Sequence, residues 1–238
     1  MNIQDLIIKN DQQVDLDQLV FTDENREKIT QLLKEHQYKE HLQKYGLPLT
    51  HKLLLYGSSG CGKTSTAKGI ATALGKPLIL LNLSNVVNAR IGETSQHVRM
   101  IFDRARRDKA VLFLDEFDQL GKARGEDLND VGEMRRLVNS LIQLIDYLPE
   151  DVLLIAASNH LSIIDPALLR RFEMRMAYSL PDRKTLDGFY DRLLARFPKE
   201  LHPQTRLYDV SFAEAEDNLY SVLKLTLIAK LEMASEIL

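Results

Sequence analysis

One cysteine among 238 residues leaves this chain without an intrachain disulfide, and that scarcity favours a reducing, cytoplasmic setting. No apolar stretch approaches the ~18 residues that a membrane span needs. The opening run Met1-Asn2-Ile3-Gln4-Asp5 has neither a basic start nor a long apolar segment, so no secretory signal is expected. A strong excess of one charge is also missing: the net charge is −3 and the sequence pI is near 6.1. That balance gives no pull toward nucleic acid or an anionic membrane. The six histidines lack metal-ligand spacing, which argues against a zinc site. Ser58, Ser59 and Ser65 have no motif-paired base, so nothing supports a serine hydrolase. No fixed-period repeat and no low-complexity segment breaks the chain. Hydrophobic residues at 45% and charged residues at 27% are then those of an ordinary globular protein. The length suits one large domain, or a domain with a smaller companion, and is enough to bury a whole parallel sheet.

What is present begins at Gly57. Residues 57–64 read Gly-Ser-Ser-Gly-Cys-Gly-Lys-Thr, directly after the apolar run Leu53-Leu54-Leu55-Tyr56. This is a complete G-x-x-x-x-G-K-[ST] phosphate loop between an expected strand and an expected helix. Glycines allow positive φ, so successive N–H groups of Gly57, Ser58, Ser59, Gly60, Cys61 and Gly62 can turn inward around a polyphosphate. The following helix, opening at Lys63, Thr64 and Ser65, adds the positive end of its dipole. Lys63 is expected at the β/γ-phosphates, and the Thr64 hydroxyl on Mg²⁺. The bland alternative is a Gly/Ser turn that happens to precede a lysine. Cys61 occupies a variable position of the loop. It is not expected to be catalytic, although an electropositive neighbourhood lowers a thiol pKa.

Two further strand tips carry polar groups. Val111-Leu112-Phe113-Leu114 has the pattern of a strand buried on both faces, and it ends in Asp115-Glu116. Acidic residues at the carboxyl end of a parallel strand face the crevice where ligands bind. Asp115 fits a Mg²⁺-holding role, and Glu116 is placed to polarise an attacking water. Capping of the next turn is the plainer reading of both. The third strand, Val152 to Ala157, leads to Ser158-Asn159. The Asn159 amide suits a hydrogen bond to a γ-phosphate or the attacking water, or it is an ordinary turn asparagine. Asp165-Pro166-Ala167-Leu168-Leu169 then reads as a short capped helix with proline at its first position. Arg170 and Arg171 follow. Arginine near a helix C-terminus is favourable in any case, and a pair there also suits a finger that reaches a neighbouring subunit's γ-phosphate.

Taken together these motifs resemble those of AAA+ ATPases, and of the classical AAA clade rather than the clamp-loader or initiator clades. Walker A corresponds to Gly57–Thr64 and Walker B to Val111–Glu116. Asn159 falls at sensor 1, and Asp165–Phe172 at the second region of homology. The stretch Leu168-Leu169-Arg170-Arg171-Phe172-Glu173 is similar to the adjacent-arginine variant of the membrane-remodelling and microtubule-severing groups. The runs Gly92-Glu93-Thr94 and Asp115-Glu116-Phe117-Asp118 are similar to short bacterial and phage proteins of the SpoVK-like type. The resemblance spans roughly residues 14–238. It implies ATP and Mg²⁺ as cofactors, and Glu116, Asn159, Arg170 and Arg171 as catalytic residues. It also implies a homo-oligomer, a hexameric ring when ATP is bound, acting on a protein substrate. A nucleic-acid-linked motor or loader, not favoured by the charge, and a slow ATP-dependent assembly switch stay open.

The fold expected is α/β: a P-loop NTPase with a parallel five-stranded sheet, flanking helices and a small C-terminal helical lid. Alternation of the two element types argues for this arrangement. Strands are expected near 52–56, 78–82, 111–114, 152–157 and 174–178. Helices are expected near 63–74, 94–107, 131–147 and 166–169, with a single helix across residues 23–45. An N-terminal segment (1–22), the nucleotide-binding domain (23–180) and the lid (181–238) are the expected divisions. Some twenty residues before the first helix are too few for a separate substrate domain. In the lid, Leu186, Phe189, Tyr190, Leu193, Leu194 and Phe197 share a helical face, and Ser211 is a candidate cap for a final helix near 212–237. Arg206 lies in a loop-like stretch, so no lid arginine is expected on phosphate.

One departure from the family concerns the first pore loop, where an aromatic-hydrophobic-Gly triplet is the family pattern. Here Arg90, Ile91 and Gly92 stand in those places, expected in a loop that runs to a helix near Thr94. Arginine stacks and hydrogen-bonds but lacks the sequence-blind apolar grip. It suits an acidic peptide or nucleic-acid backbone in the pore, or a fixed partner without threading, or it is a solvated loop residue. A second polar run, Gly121 to Asp127, has the glycine and charge content of a mobile loop, one that suits a pore lining or a contact with a neighbour, with a plain solvated loop as the simpler reading.

Overall fold

Four short apolar runs and a fifth, half-buried strand form the centre of the protein, and their burial decides its architecture. The computed structural model describes residues 13–88, 91–122 and 128–235. Strands β1 (Lys52–Gly57), β2 (Leu78–Asn82), β3 (Val111–Asp115), β4 (Leu153–Ser158) and β5 (Met174–Tyr178) form one sheet in the order β2-β3-β4-β1-β5. The pairs β1/β4, β2/β3 and β3/β4 are parallel. All six residues of β4 are buried, which explains a run with no polar alternation: both faces of a parallel strand are covered. Parallel pairing also brings the carboxyl ends of β1, β3 and β4 to one edge, where Leu55 pairs with Ala157 and Leu114 with Ala156. The fold class expected from the sequence is thus the one found.

Helices α1 (Asp23–Gln37), α2 (Lys39–Lys44), α3 (Lys63–Ala73), α4 (Leu83–Asn88), α5 (Ile91–Asp108), α6 (Gln119–Lys122), α7 (Leu128–Asp146) and α8 (Pro166–Leu169) surround or adjoin this sheet in sequence. The main core joins Leu54 of β1, Leu112 and Leu114 of β3 and Leu154 of β4 to Phe102 of α5 and Leu141 of α7. Thr22 caps α1 by accepting the Asn25 N–H at 3.3 Å, as a residue of that type should.

The single helix expected across 23–45 is instead two. At Tyr38 the backbone leaves the helical basin, with φ −100° and ψ 20°. The cause is tertiary. Glu35 accepts the Thr50 N–H at 3.0 Å, and the His36 ring donates to the Thr50 carbonyl at 3.1 Å. Beyond the break, Lys39 is drawn to Asp151, which also pairs with Lys109 at 3.2 Å. Those ammonium groups hold the Asp151 carboxyl below its usual range. Helical periodicity carries no trace of such anchors.

The stretch after β2 also differs from expectation. Asn82 accepts the Ser84 N–H at 2.8 Å, and α4 begins at once. Helix α5 then opens at Ile91 rather than near Thr94, so Ile91 and Gly92 belong to a first helical turn and not to a loop. Arg90 lies outside the described residues. The expected loop from Gly121 is likewise helical at its start, because Gly121 and Lys122 close α6; residues 123–127 lie outside the description. No helix among the described residues is long and apolar enough to cross a membrane.

Contacts divide the described residues into two compact units. One holds the residues up to Gly57 together with Lys63–Ala177; the other holds Ser58–Gly62 with the residues from Tyr178 onward. In the second unit, α9 (Arg183–Leu194) and α10 (Phe212–Ser235) enclose Leu186, Tyr190, Leu194, Ala215 and Leu219. Ser211 and Glu214 form a reciprocal capping box. The Glu214 carboxylate accepts the Ser211 N–H at 2.8 Å, and the Ser211 hydroxyl accepts the Glu214 N–H at 3.3 Å. Gly60 packs on this cap so closely that a Cβ there would stand 2.4 Å from the Ser211 hydroxyl. Arg206 bonds Asp187 at 2.8 Å and Asp191 at 2.5 Å, and lies over the Tyr190 ring. It is thus a brace within its own unit.

Gly121 offers a stability test. A Cβ there would meet the Ile163 carbonyl oxygen at 2.0 Å, and a backbone oxygen does not move aside. Gly121→Ala is therefore expected to cost ~1–3 kcal/mol, as overpacking does, and to lower the urea and thermal midpoints. An unchanged midpoint would show slack in this turn.

Candidate functional site

The phosphate-loop glycines adopt the backbone angles that motivated the motif reading. Gly57, Gly60 and Gly62 have φ of 124°, 69° and 95°, a region that side-chain-bearing residues rarely enter. Ser58 donates its N–H to the Tyr178 carbonyl at 2.9 Å. Cys61 is buried, with its thiol toward the Ser59 carbonyl. Lys63, Thr64 and Ser65 make the first turn of α3, where N–H groups have no partner within the helix and the dipole favours an anion.

Within the first unit, the polar groups on three strand tips meet. Lys63 is 8% exposed. It donates to the Gly57 carbonyl and to Asn159 Oδ1, each at 2.8 Å. An ammonium this deep must be paired, and these acceptors hold it at the loop. Beside it the Thr64 hydroxyl stands 3.4 Å from Asp115 Oδ2. One hydroxyl and one carboxylate, completed by phosphate oxygens and waters, match how Mg²⁺ is held. Among the described residues no cluster of three or more His, Cys, Asp or Glu offers an all-protein metal cage. That composition suits an ion shared with a nucleotide.

Glu116 sits in a strained position. Its φ is 55°, costly for a residue with a side chain and seen where surrounding structure imposes it. The imposing contacts are visible. Asp115 Oδ1 accepts the Glu116 N–H at 2.9 Å, and the Phe117 N–H reaches the Ala157 carbonyl at 2.8 Å. The Glu116 carboxylate accepts a hydrogen bond from Ser84 at the start of α4.

Arg170 and Arg171, read as a pair from the sequence, have different surroundings. Arg171 donates through Nε and Nη2 to the two Asp146 oxygens at 3.1 and 3.2 Å, and through Nη1 to the Ala167 carbonyl at 2.6 Å. Its pKa is raised, first by the Asp146 bonds. Among the described residues, the Arg170 side chain is exposed and makes no ion pair. Its backbone ends α8, whose N-cap Asp165 accepts the Ala167 N–H at 2.7 Å.

Three side chains meet this site without having been assigned to it from the sequence. Ser84 lies on Glu116, and buried Asp118 accepts from the Ser158 hydroxyl and the Asn159 N–H, each at 3.1 Å. Asp118 lay in the quoted run Asp115-Glu116-Phe117-Asp118, and that position was its only sequence signal. Ser84 and Ser158 carried none, because a hydroxyl at a strand end fits any turn.

The family model for the ATPase family associated with various cellular activities (AAA) matches residues 53–180, just over half the chain. An uncharacterized AAA family ATPase of Sinorhizobium fredii is 33% identical over 208 residues, 86% of this chain and 63% of that protein. The ATP-dependent zinc metalloprotease FtsH 3 of Sphaerobacter thermophilus is 34% identical over 164 residues, 67% of this chain and 34% of its own length. The proteasome-associated ATPase of Mycobacterium tuberculosis is 33% identical over 184 residues, 67% of this chain and 30% of its own. The chain thus spans less than two thirds of each of these relatives.

Lys63→Ala removes the charge from the loop. A charge-assisted contact is worth ~1.5–3 kcal/mol, so calorimetric titration with ATP is expected to show affinity lower by roughly ten- to a hundredfold. Wild-type affinity would overturn the phosphate-loop assignment.

Proposed function

The chain belongs to the AAA family of ATPases, and we propose that it couples Mg²⁺-dependent ATP hydrolysis to the remodelling of a protein partner within a homo-oligomeric ring. The observation that carries this reading is the meeting of Lys63, Asn159, Thr64 and Asp115 at one edge of the sheet. In this reading Gly57–Gly62 and Lys63 hold the polyphosphate, and Thr64 with Asp115 would hold Mg²⁺. The ion, when bound, neutralises charge on the β- and γ-phosphate oxygens. Glu116 accepts a proton from the attacking water, and Asn159 orients that water or the γ-phosphate.

The arginines divide the remaining work. A trans-acting finger must leave its own subunit, so Arg170 is assigned that role, and Arg171, tied to Asp146, becomes the brace that aims it. A protein partner is supported by the names of two relatives, a metalloprotease and a proteasome-associated ATPase. Net charge of −3 does not favour nucleic acid. A cytoplasmic setting rests on the single cysteine. The bounds 23–180 and 181–238 are our proposal for the nucleotide-binding domain and lid. Arg90, Ile91 and Gly92 are kept as candidate partner contacts. A second reading, a slow assembly switch, draws on the Ser84–Glu116 contact, which occupies the proposed base.

Glu116→Gln keeps the shape and loses the base, so it is expected to bind ATP and to turn it over ~10²–10⁴-fold more slowly. Turnover at the wild-type rate would assign the water to another group. Oligomerisation with negligible turnover in the wild type would favour the switch.

The arginine assignment has its own test in mixed assemblies. Arg170→Ala is expected to bind ATP normally yet lose ~10³–10⁵ in assembled turnover. Mixing it with Lys63→Ala protein restores part of the rate, because each subunit supplies what the other lacks. Co-assembled mixtures that stay inactive would count against a site shared between subunits.

A further inference from the structure

We propose that Asp118 is a positioning residue for Asn159, fixing where the Asn159 amide stands at the γ-phosphate end of the site. The proposal rests on the role given to Asn159 above. It begins with an unusual burial. Asp118 is 2% exposed, and a carboxylate there is expensive unless hydrogen-bonded. Its Oδ1 accepts the Ser158 hydroxyl and the Asn159 N–H, each at 3.1 Å. Ser158 is itself buried, and its hydroxyl accepts the His160 N–H at 3.0 Å. One carboxylate therefore orders three consecutive residues at the tip of β4.

The turn that carries Asp118 also meets β4 and the segments that follow it. Phe117 donates its N–H to the Ala157 carbonyl, and its ring meets Phe172 edge-on at 5.5 Å. Gly121 lies against the Ile163 carbonyl. The bond from the Asn159 N–H to the Asp118 carboxylate is charge-assisted, and such bonds are stronger and more directional than neutral ones. Closing a turn does not require a buried charge. What this one adds is a rigid hold on the Asn159 main chain, one residue-length from the amide that meets Lys63.

The consequence appears when a phosphate arrives. Lys63 then exchanges its bond to Asn159 Oδ1 for a phosphate oxygen, and the amide loses that anchor. The Asp118 contact to the Asn159 backbone persists through the exchange. The amide thus keeps its place while its former partner serves the nucleotide. Misplacing a reacting group by ~1 Å costs up to ~10²-fold in rate, so this hold is expected to register in kcat rather than in binding.

The test is a double-mutant cycle on the full chain: Asp118→Ala, Asn159→Ala and the pair, with kcat and KM for ATP, the Kd of a non-hydrolysable analogue, and the thermal midpoint. Both single variants are expected to lose ~10–10² in kcat with analogue Kd little changed. The pair is expected to be no slower than the slower single variant, because Asp118 acts through Asn159. Asp118→Asn, whose amide oxygen still accepts both bonds, recovers most of the rate lost in Asp118→Ala. Should Asp118→Ala lack a thermal transition, Asp118→Ser replaces it, since its short hydroxyl cannot reach both donors. A pair whose loss is the product of the two single losses overturns the proposal while leaving the role of Asn159 intact. Wild-type turnover by Asn159→Ala overturns that role and this proposal with it.

Discussion

The buried ammonium of Lys63 is the interaction on which the site depends. It reaches across from the first turn of α3 to the tip of β4, and its acceptors include a β1 carbonyl and the Asn159 amide. Strand β4, far along the chain, is thereby tied with β1 and α3 to one polar point. A lysine in such a place is tolerable only with acceptors supplied on site. In the proposed reading the Asn159 acceptor is exchanged for a phosphate oxygen. The residue that ties the edge of the sheet together is thus the one proposed to recognise the nucleotide.

Around that point the backbone carries strain in a confined region. Glu116 has a positive φ, and it is flanked by Asp115, which takes its N–H, and by Phe117, which hydrogen-bonds to β4. The strain is imposed by packing that is local and dense: Phe117 on Phe172, Gly121 on Ile163. A carboxylate held off the ordinary backbone geometry is aimed by its surroundings and not by its own rotamer preferences. Ser84 on the Glu116 carboxylate ties that aim to the start of α4, just ahead of the residues read as a pore loop.

Elsewhere, charge is used as bracing. Arg171 grips Asp146, Arg206 grips Asp187 and Asp191, and three lysines gather on Asp151 at the opposite edge of the sheet. These pairs are partly exposed, where the net worth of an ion pair is small. Their effect is geometric: each fixes a direction, and each removes one cation from the set available to a partner. Arg170 belongs to none of these pairs, and this is what separates it from its neighbour.

The sequence by itself determined the sheet and the loop. Continuous apolar runs mark buried parallel strands, and the glycine spacing before Lys63 encodes backbone angles that are local and read without a fold. The polar strand tips at Asp115, Glu116 and Asn159 were legible for the same reason: an abrupt change from apolar to polar is a one-dimensional signal. Tyr38 was not legible, because the break in the helix there is set by Thr50 and Asp151, residues far along the chain. The start of α5 at Ile91 departs from the family's pore-loop pattern, and the Asn82–Ser84 contact turns β2 straight into a helix. Arg170 and Arg171 are adjacent and chemically identical, so no pattern in the chain tells them apart. Only the tertiary structure does, by placing Asp146 beside one guanidinium and solvent beside the other. The same holds for Asp118, whose part follows from what it touches across the sheet. Contacts between residues far apart in sequence carry no periodicity, and folding alone brings them together.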